Sequence, residues 1–155
     1  MSFRIEALSP EPFRPLFDLG DAELAARGAR RVFANARPGF PCRVSLDDAE
    51  VGEELILVNY EHQPAPTPYR ASHAIYVRRA ADRAASANDA LPPALEDRLL
   101  SIRAFDAEGM LLGGDVGQGP DAVAAIERFL ADPAADSVHL HSARMGCYLA
   151  RAVRG

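Results

Sequence analysis

Residues 101–116 read SIRAFDAEGMLLGGDV, and this stretch decides the fold class of the 155-residue chain. Segments 101–105 and 110–116 predict two strands, and the turn Asp106–Gly109 between them is typical of a β-hairpin. In the residues that follow this hairpin, the sequence predicts a helix over 121–130 and strands over 137–142 and 147–153. Because hairpins occur and helices do not alternate strictly with strands, we expect an α+β fold.

The first half of the chain predicts further strands and an N-terminal helical segment. Residues 54–62 are apolar on both faces at their centre, which favours a position inside a sheet. Residues 42–46 alternate, so we expect a strand with Cys42, Val44 and Leu46 on its apolar face. The other predicted elements are strands at 3–8, 31–36 and 73–79, and helices at 12–27 and 93–100.

The composition is that of an ordinary globular protein, with 48% hydrophobic residues, 25% charged residues and a net charge of −5. We expect one domain, residues 1–155, built on a single mostly antiparallel or mixed sheet with two or three helices packed on it. Nucleic acid is an unfavourable partner for an acidic chain, because that binding depends on neutralising phosphates. All 17 basic residues are Arg, which excludes a pyridoxal Schiff base, a lysine nucleophile and a Walker A phosphate loop.

The sequence predicts a cytoplasmic protein with no membrane partner. Glu6 lies within the first six residues and no apolar run follows it, unlike a signal peptide. The longest aliphatic run, Leu55–Val58, is far shorter than a membrane span. We therefore expect Cys42 and Cys147 to be free thiols. The excess of Arg and Ala is typical of a GC-rich bacterial genome.

Three stretches, 37–43, 62–79 and 137–155, contain Arg but no acidic residue, and the second and third also contain His. In a net acidic protein we expect them to meet as an anion pocket, although three separate solvated faces remain the alternative. The predicted ligand-binding residues are a clamp of arginines and a set of orienting side chains. The clamp consists of Arg37, Arg43, Arg70 and Arg144, and the orienting set consists of His62, Tyr69, His139 and His141.

His139 and His141 raise the alternative of a metal site. Residues two apart in a strand share a face, so both imidazoles could reach one ion. In a hairpin closed at residues 143–146, His141 lies opposite Tyr148, and Cys147 points away from the histidines. A one-residue bulge would reverse that direction.

Such a metal would need further ligands, for which His62, His73 and Glu61 are the candidates. Because only one histidine pair shares a face, we expect no bound metal and no cofactor.

The acid-free stretches contain blocks with a distinctive pattern. They are RPGFPCR at 37–43, NYEH at 59–62 with PYRAS at 68–72, and HLHSARMGCY at 139–148. With these blocks the chain resembles, over nearly its whole length, a bacterial family catalogued as a domain of unknown function, number twelve-oh-three. The resemblance implies a single-domain bacterial protein and implies no activity. His73 stands where a smaller residue is expected, so we leave it out of the candidate site.

The leading hypothesis is a domain that binds a small anionic molecule such as phosphate, a carboxylate or a nucleotide fragment. One alternative is an enzyme with a His-centred acid–base or metal site. The other is a non-catalytic interaction domain that forms a homodimer. The identity of the ligand and the presence of catalysis stay open at this level.

Overall fold

A computed structural model describes residues 2–155, which form nine strands and three α-helices. The strands are β1 (Phe3–Glu6), β2 (Ala29–Phe33), β3 (Glu54–Gln63), β4 (Ala71–Arg78), β5 (Ser86–Asn88), β6 (Leu100–Phe105), β7 (Leu111–Gly117), β8 (Ser137–Ser142) and β9 (Tyr148–Arg154). The helices are α1 (Asp21–Ala26), α2 (Pro93–Glu96) and α3 (Pro120–Ala131), with a 3-10 turn at Arg14–Asp18. Within these residues, no helix has the length and hydropathy needed to cross a bilayer.

The strands form two sheets, so the prediction of a single sheet is wrong. The larger sheet has six strands in the order β5-β1-β9-β8-β6-β7, and the smaller has three in the order β2-β3-β4. Neighbouring strands are antiparallel in both sheets, and the predicted hairpin is confirmed as the β6–β7 pair. With 38% of residues in strands and 18% in helices, the chain fits the predicted α+β class only in part.

The packing around β3 explains why the sequence did not predict a second sheet. Leu55 and Ile56 are consecutive and both fully buried, because the smaller sheet is covered on both faces. Ile56 packs with Leu24 of α1, whereas Leu55 packs with Ala34 and Ala49. An apolar run on both faces therefore predicts a central strand correctly, but it does not indicate the sheet to which that strand belongs.

Helix α3 covers one face of the six-stranded sheet. Ile126 of α3 is buried in one cluster with Ile102 of β6 and Leu140 of β8. Side chains alternate along a strand, so the residues on either side of Leu140, His139 and His141, project from the opposite face. The architecture therefore presents these histidines away from the helix.

Residues 42–46 form a turn, so the strand predicted there is wrong. The Leu46 N–H donates to the Cys42 carbonyl at 3.0 Å, and Leu46 has a φ of +52°, which no strand residue adopts. The side chains of Cys42, Val44 and Leu46 are buried because the turn folds inward. The Cys42 thiol accepts backbone N–H groups from Val44 and Ser45 at 3.4 Å each. Alternation over five residues does not distinguish such a turn from a strand.

The hairpin β6–β7 contacts the loop that joins β3 to β4, and this contact links the two sheets. The Thr67 hydroxyl donates to the Gly109 carbonyl at 3.1 Å. Gly109 has a φ of +86°, and a Cβ at this position would collide with the Cβ of Ala65. Glycine is therefore required both by the backbone conformation and by the close approach of the loop.

We expect Gly109→Ala to lower the free energy of unfolding more than Gly28→Ala. Both glycines have positive φ, so alanine costs about 1–2 kcal/mol of backbone strain at either position. A Cβ at Gly28 meets no atom within 4 Å, whereas the collision at Gly109 adds about 1–3 kcal/mol of overpacking. Urea unfolding of the two variants measures the difference. Equal losses would contradict the contact between hairpin and loop.

Candidate metal centre

All four histidines of the chain meet where the two sheets face each other. His62 belongs to β3, His73 to β4, and His139 and His141 to β8. We call these four side chains the histidine cluster. The ring centroids of His62 and His73 are 4.8 Å apart, those of His62 and His141 are 4.7 Å apart, and those of His73 and His141 are 5.2 Å apart. His73 is half-buried and the other three are buried, with His141 fully enclosed.

The alternation of β8 places two of the histidines on one face, and the register of β9 continues this arrangement. His141 lies opposite Tyr148, in agreement with the hairpin predicted from the sequence. The next pair joins Leu140 to Ala150, so Leu149 is an extra residue that forms a bulge in β9. Because Tyr148 lies directly opposite His141, its ring is on the face of the histidines. It stacks on His62, with centroids 5.1 Å apart and planes 7° from parallel.

A second bulge, in β3, lies beside His62. The register passes from the pair Tyr60–His73 to the pair Gln63–Ala71, so β3 carries one extra residue between them. His62 and Gln63 are both buried although they are consecutive, which a regular strand with one solvated face does not allow.

Six of the eight ring nitrogens of the cluster fall into two sets. The first set is hydrogen-bonded. His141 Nδ1 lies 2.9 Å from the Gly146 carbonyl and donates to it, because a carbonyl oxygen only accepts. His62 Nδ1 and His139 Nδ1 are 3.4 Å apart.

The second set has no hydrogen-bond partner among residues 2–155. It consists of His62 Nε2, His73 Nδ1 and His141 Nε2, and all three atoms are buried. One ring nitrogen from each of these three histidines lies within 4.8 Å of the others. Because His141 Nδ1 carries the proton, the Nε2 of its neutral ring keeps a free lone pair. Three strands thus bring together three histidines, each of which has a buried ring nitrogen without a hydrogen-bond partner.

Burial keeps the imidazoles neutral. Removal from water lowers the pKa of His62 and of His141 to about 3, and the pKa of His139 to about 4. Burial also lowers the pKa of His73, and the positive charge of Arg103 acts in the same direction. A neutral imidazole has the free lone pair that a metal ion requires.

A cleft of about 380 Å³ borders the cluster at His62 and His139. Glu61 also lines this cleft, but its carboxylate is exposed and bonds to Arg70 at 3.0 Å. Glu61 was one of the additional metal ligands considered from the sequence, and the fold directs it away from the three unpartnered nitrogens. The candidate ligand set therefore consists of imidazoles alone.

Two of the four arginines in the predicted clamp lie in ion pairs outside the cluster. Arg37 is exposed and pairs with Asp47 at 3.3 Å. Arg70 is exposed and pairs with Glu61. Tyr69, which was predicted to orient an anion, is 40% exposed and lies in the β3–β4 loop. These three residues do not meet the histidines.

The other two arginines of the predicted clamp line one cleft together. Arg43 is buried and Arg144 is exposed, and both border a cleft of about 700 Å³. Cys147 lines the same cleft and is not a member of the histidine cluster. The fold therefore separates the residues of the predicted anion pocket into a histidine cluster, one shared arginine cleft and surface ion pairs.

Sequence reasoning left His73 out of the candidate site. The signal that identifies it is the pairing of β3 with β4 as a hairpin around the proline-rich loop 64–70. In that pairing His73 lies opposite Tyr60, beside His62 on the neighbouring strand.

Comparison with known proteins gives one match. A family model described as "Protein of unknown function (DUF1203)" matches residues 39–154, well over half of the chain. No curated protein and no solved structure matches the chain. The match includes all four histidines and confirms the resemblance seen in the sequence blocks. The chain therefore belongs to the DUF1203 family of proteins of unknown function.

Proposed function

We propose that this protein binds a divalent transition-metal ion, with Zn²⁺ as the first candidate, through His62, His73 and His141. The observation that carries the proposal is the convergence of three histidines, each of which has a buried ring nitrogen without a hydrogen-bond partner among residues 2–155. Buried polar atoms in folded proteins are nearly always partnered. Each one left without a partner costs about 1–3 kcal/mol. A shared metal ion would satisfy all three nitrogens at once.

The surroundings of the three ligands also suit a metal. Histidines that bind metals usually donate their second ring N–H to a carbonyl, a carboxylate or water, which fixes the tautomer and the ring orientation. His141 makes such a bond to the Gly146 carbonyl. The Nδ1 of His62 has His139 as its neighbour at 3.4 Å. In the proposed site His139 therefore orients His62 and does not bind the metal.

The type of ligand selects the class of metal. Imidazole nitrogen suits Zn²⁺, Cu²⁺, Co²⁺ and Ni²⁺, whereas Ca²⁺ and Mg²⁺ require oxygen ligands. In the tetrahedral geometry of zinc, two nitrogens bound at about 2.0–2.1 Å are about 3.4 Å apart. The nitrogens of the cluster span up to 4.8 Å, so metal binding must draw the rings together by about 1 Å or more.

Three protein ligands leave a fourth position for water or a substrate, which is the ligand number of catalytic rather than structural zinc. The reaction class that this favours is addition of a metal-activated water to an electrophilic carbon or phosphorus. Arg103 brings positive charge close enough to contribute to the lowered pKa of all four cluster histidines. In the proposed site this charge opposes cation binding and favours hydroxide or another anion as the fourth ligand.

The proposal replaces the sequence-based expectation of no metal, which rested on a single histidine pair. It takes up the alternative of a His-centred site, since His62 and His73 supply the further ligands.

We expect the wild-type protein to retain about one Zn²⁺ per chain after zinc loading and dialysis, and His141→Ala to retain essentially none. His73→Ala, which changes a half-buried side chain, is a second ligand variant with less risk to folding. The readout is metal content by mass spectrometry, with circular dichroism to confirm folding.

His139→Ala is the matched control, because His139 is buried on the same face of β8 two residues before His141. It should keep a stoichiometric site with an affinity about 10–100-fold lower, as expected when an orienting partner is lost. The proposal fails if the wild-type protein takes up no zinc, or if all three variants lose zinc equally.

We expect the protein loaded with Co²⁺ to change its visible absorption when azide is added, because an anion can occupy the fourth position. The azide dissociation constant should rise in Arg103→Met, which removes the neighbouring positive charge. Arg128→Met is the matched control, since Arg128 lies on α3 and pairs with Asp115. A spectrum unchanged by azide would show that no position on the metal is open to an exogenous ligand.

A further inference from the structure

The cleft of about 700 Å³ shares no lining residue with the proposed metal site and has a different character. Its volume falls in the range of small-molecule sites, about 300–1,000 Å³. Apolar side chains form much of the wall, including Leu57, Leu99 and Leu149, and the polar contribution includes Arg43 and Arg144.

Arg43 is the unusual residue of this wall. Its side chain is only 3% exposed, yet it forms no ion pair with a carboxylate among residues 2–155. Its Nε donates to the Tyr148 carbonyl at 2.8 Å and its Nη1 donates to the Pro41 carbonyl. Burial lowers the pKa of Arg43 to about 10, so the guanidinium still carries its charge at neutral pH. Its Nη2 forms no hydrogen bond within the described residues.

Three of the four arginines of intermediate burial have a counter-ion, and the fourth, Arg103, forms no ion pair among residues 2–155. Arg31, Arg78 and Arg98 are each more exposed than Arg43, and each pairs with a carboxylate at 2.7–2.9 Å. Backbone carbonyls satisfy donors but do not neutralise a charge, and a buried charge without a counter-ion is costly. Arg43 is therefore a buried cation without a counter-ion, and an anionic ligand in the cleft would supply one.

Arg144 supplies a second positive charge on the same cleft. It lies in the short connection between β8 and β9, is exposed, and forms no ion pair within residues 2–155. One carboxylate, Asp97, also lines the cleft, next in sequence to the paired Arg98. The wall thus has two arginine charges without partners and a largely apolar surface beside them.

We infer that this cleft binds an organic carboxylate with an apolar body, whose carboxylate group lies between Arg43 and Arg144 and whose body packs on Leu57, Leu99 and Leu149. The planar guanidinium of Arg suits bidentate capture of a carboxylate. A single negative charge matches the one buried guanidinium, and a multiply charged phosphate would gain little from the apolar wall. The inference concerns a site separate from the proposed metal centre and does not depend on it.

The test is calorimetric titration of metal-free protein with octanoate as the probe. We expect saturable binding at one site per chain, and a dissociation constant about tenfold higher in Arg144→Ala, which removes an exposed side chain without disturbing the core. Arg37→Ala and Arg70→Ala are matched controls and should leave the constant unchanged, because both arginines are exposed and paired elsewhere. Arg43→Lys keeps the positive charge but removes the planar guanidinium that can donate two hydrogen bonds to one carboxylate. This variant should therefore also bind octanoate more weakly.

Three outcomes would overturn the inference. The first is that octanoate does not bind saturably. The second is that 1-octanol, which has no charge, binds as tightly as octanoate. The third is that inorganic phosphate occupies the cleft with the same affinity as octanoate. Repeating the titration with zinc-loaded protein separates this inference from the proposed function. If octanoate binds only when zinc is present, the carboxylate is a metal ligand and the cleft site is absent, while the metal site stands. If zinc does not bind and octanoate does, the cleft site stands alone.

Discussion

A neutral imidazole removed from water has one nitrogen that donates and one that accepts, and each needs a partner. In this protein four imidazoles are packed between two sheets, and the backbone supplies a partner for only part of them. The Gly146 carbonyl bonds to His141, and His139 is the neighbour of His62, but three buried ring nitrogens have no hydrogen-bond partner among residues 2–155. At about 1–3 kcal/mol each, they amount to a large fraction of a typical stability of about 5–15 kcal/mol. In the proposed site a shared metal ion would convert this cost into a set of bonds.

The first residue of β9 connects the two proposed sites. The ring of Tyr148 stacks on His62, while the carbonyl of the same residue accepts the Nε–H of the buried Arg43. The ring of Tyr148 faces the histidines because this residue lies directly opposite His141. The metal centre and the carboxylate cleft are therefore built on neighbouring backbone. A displacement of the first residues of β9 would therefore alter both proposed sites.

The sequence predicts individual elements of this protein better than it predicts how they meet. The pair His139 and His141 follows from strand alternation, and the β6–β7 hairpin follows from its turn. The second sheet does not follow, because the apolar run around Ile56 is equally compatible with a strand inside the larger sheet. His73 becomes a site residue only once β3 and β4 are paired and packed against β8. Arg37 likewise looks like a pocket residue in an acid-free stretch, yet its acidic partners come from residues 47–50, outside that stretch.

Anomalous X-ray diffraction at the zinc absorption edge, from crystals grown with Zn²⁺, tests the central claim most directly. The account predicts one strong peak per chain, about 2.0–2.1 Å from a ring nitrogen of each of His62, His73 and His141, with a water or an anion as the fourth ligand. A peak confined to surface carboxylates, with ordered water molecules bonded to those three nitrogens, would contradict it. In that case the histidine cluster would be a hydrated interior without a metal.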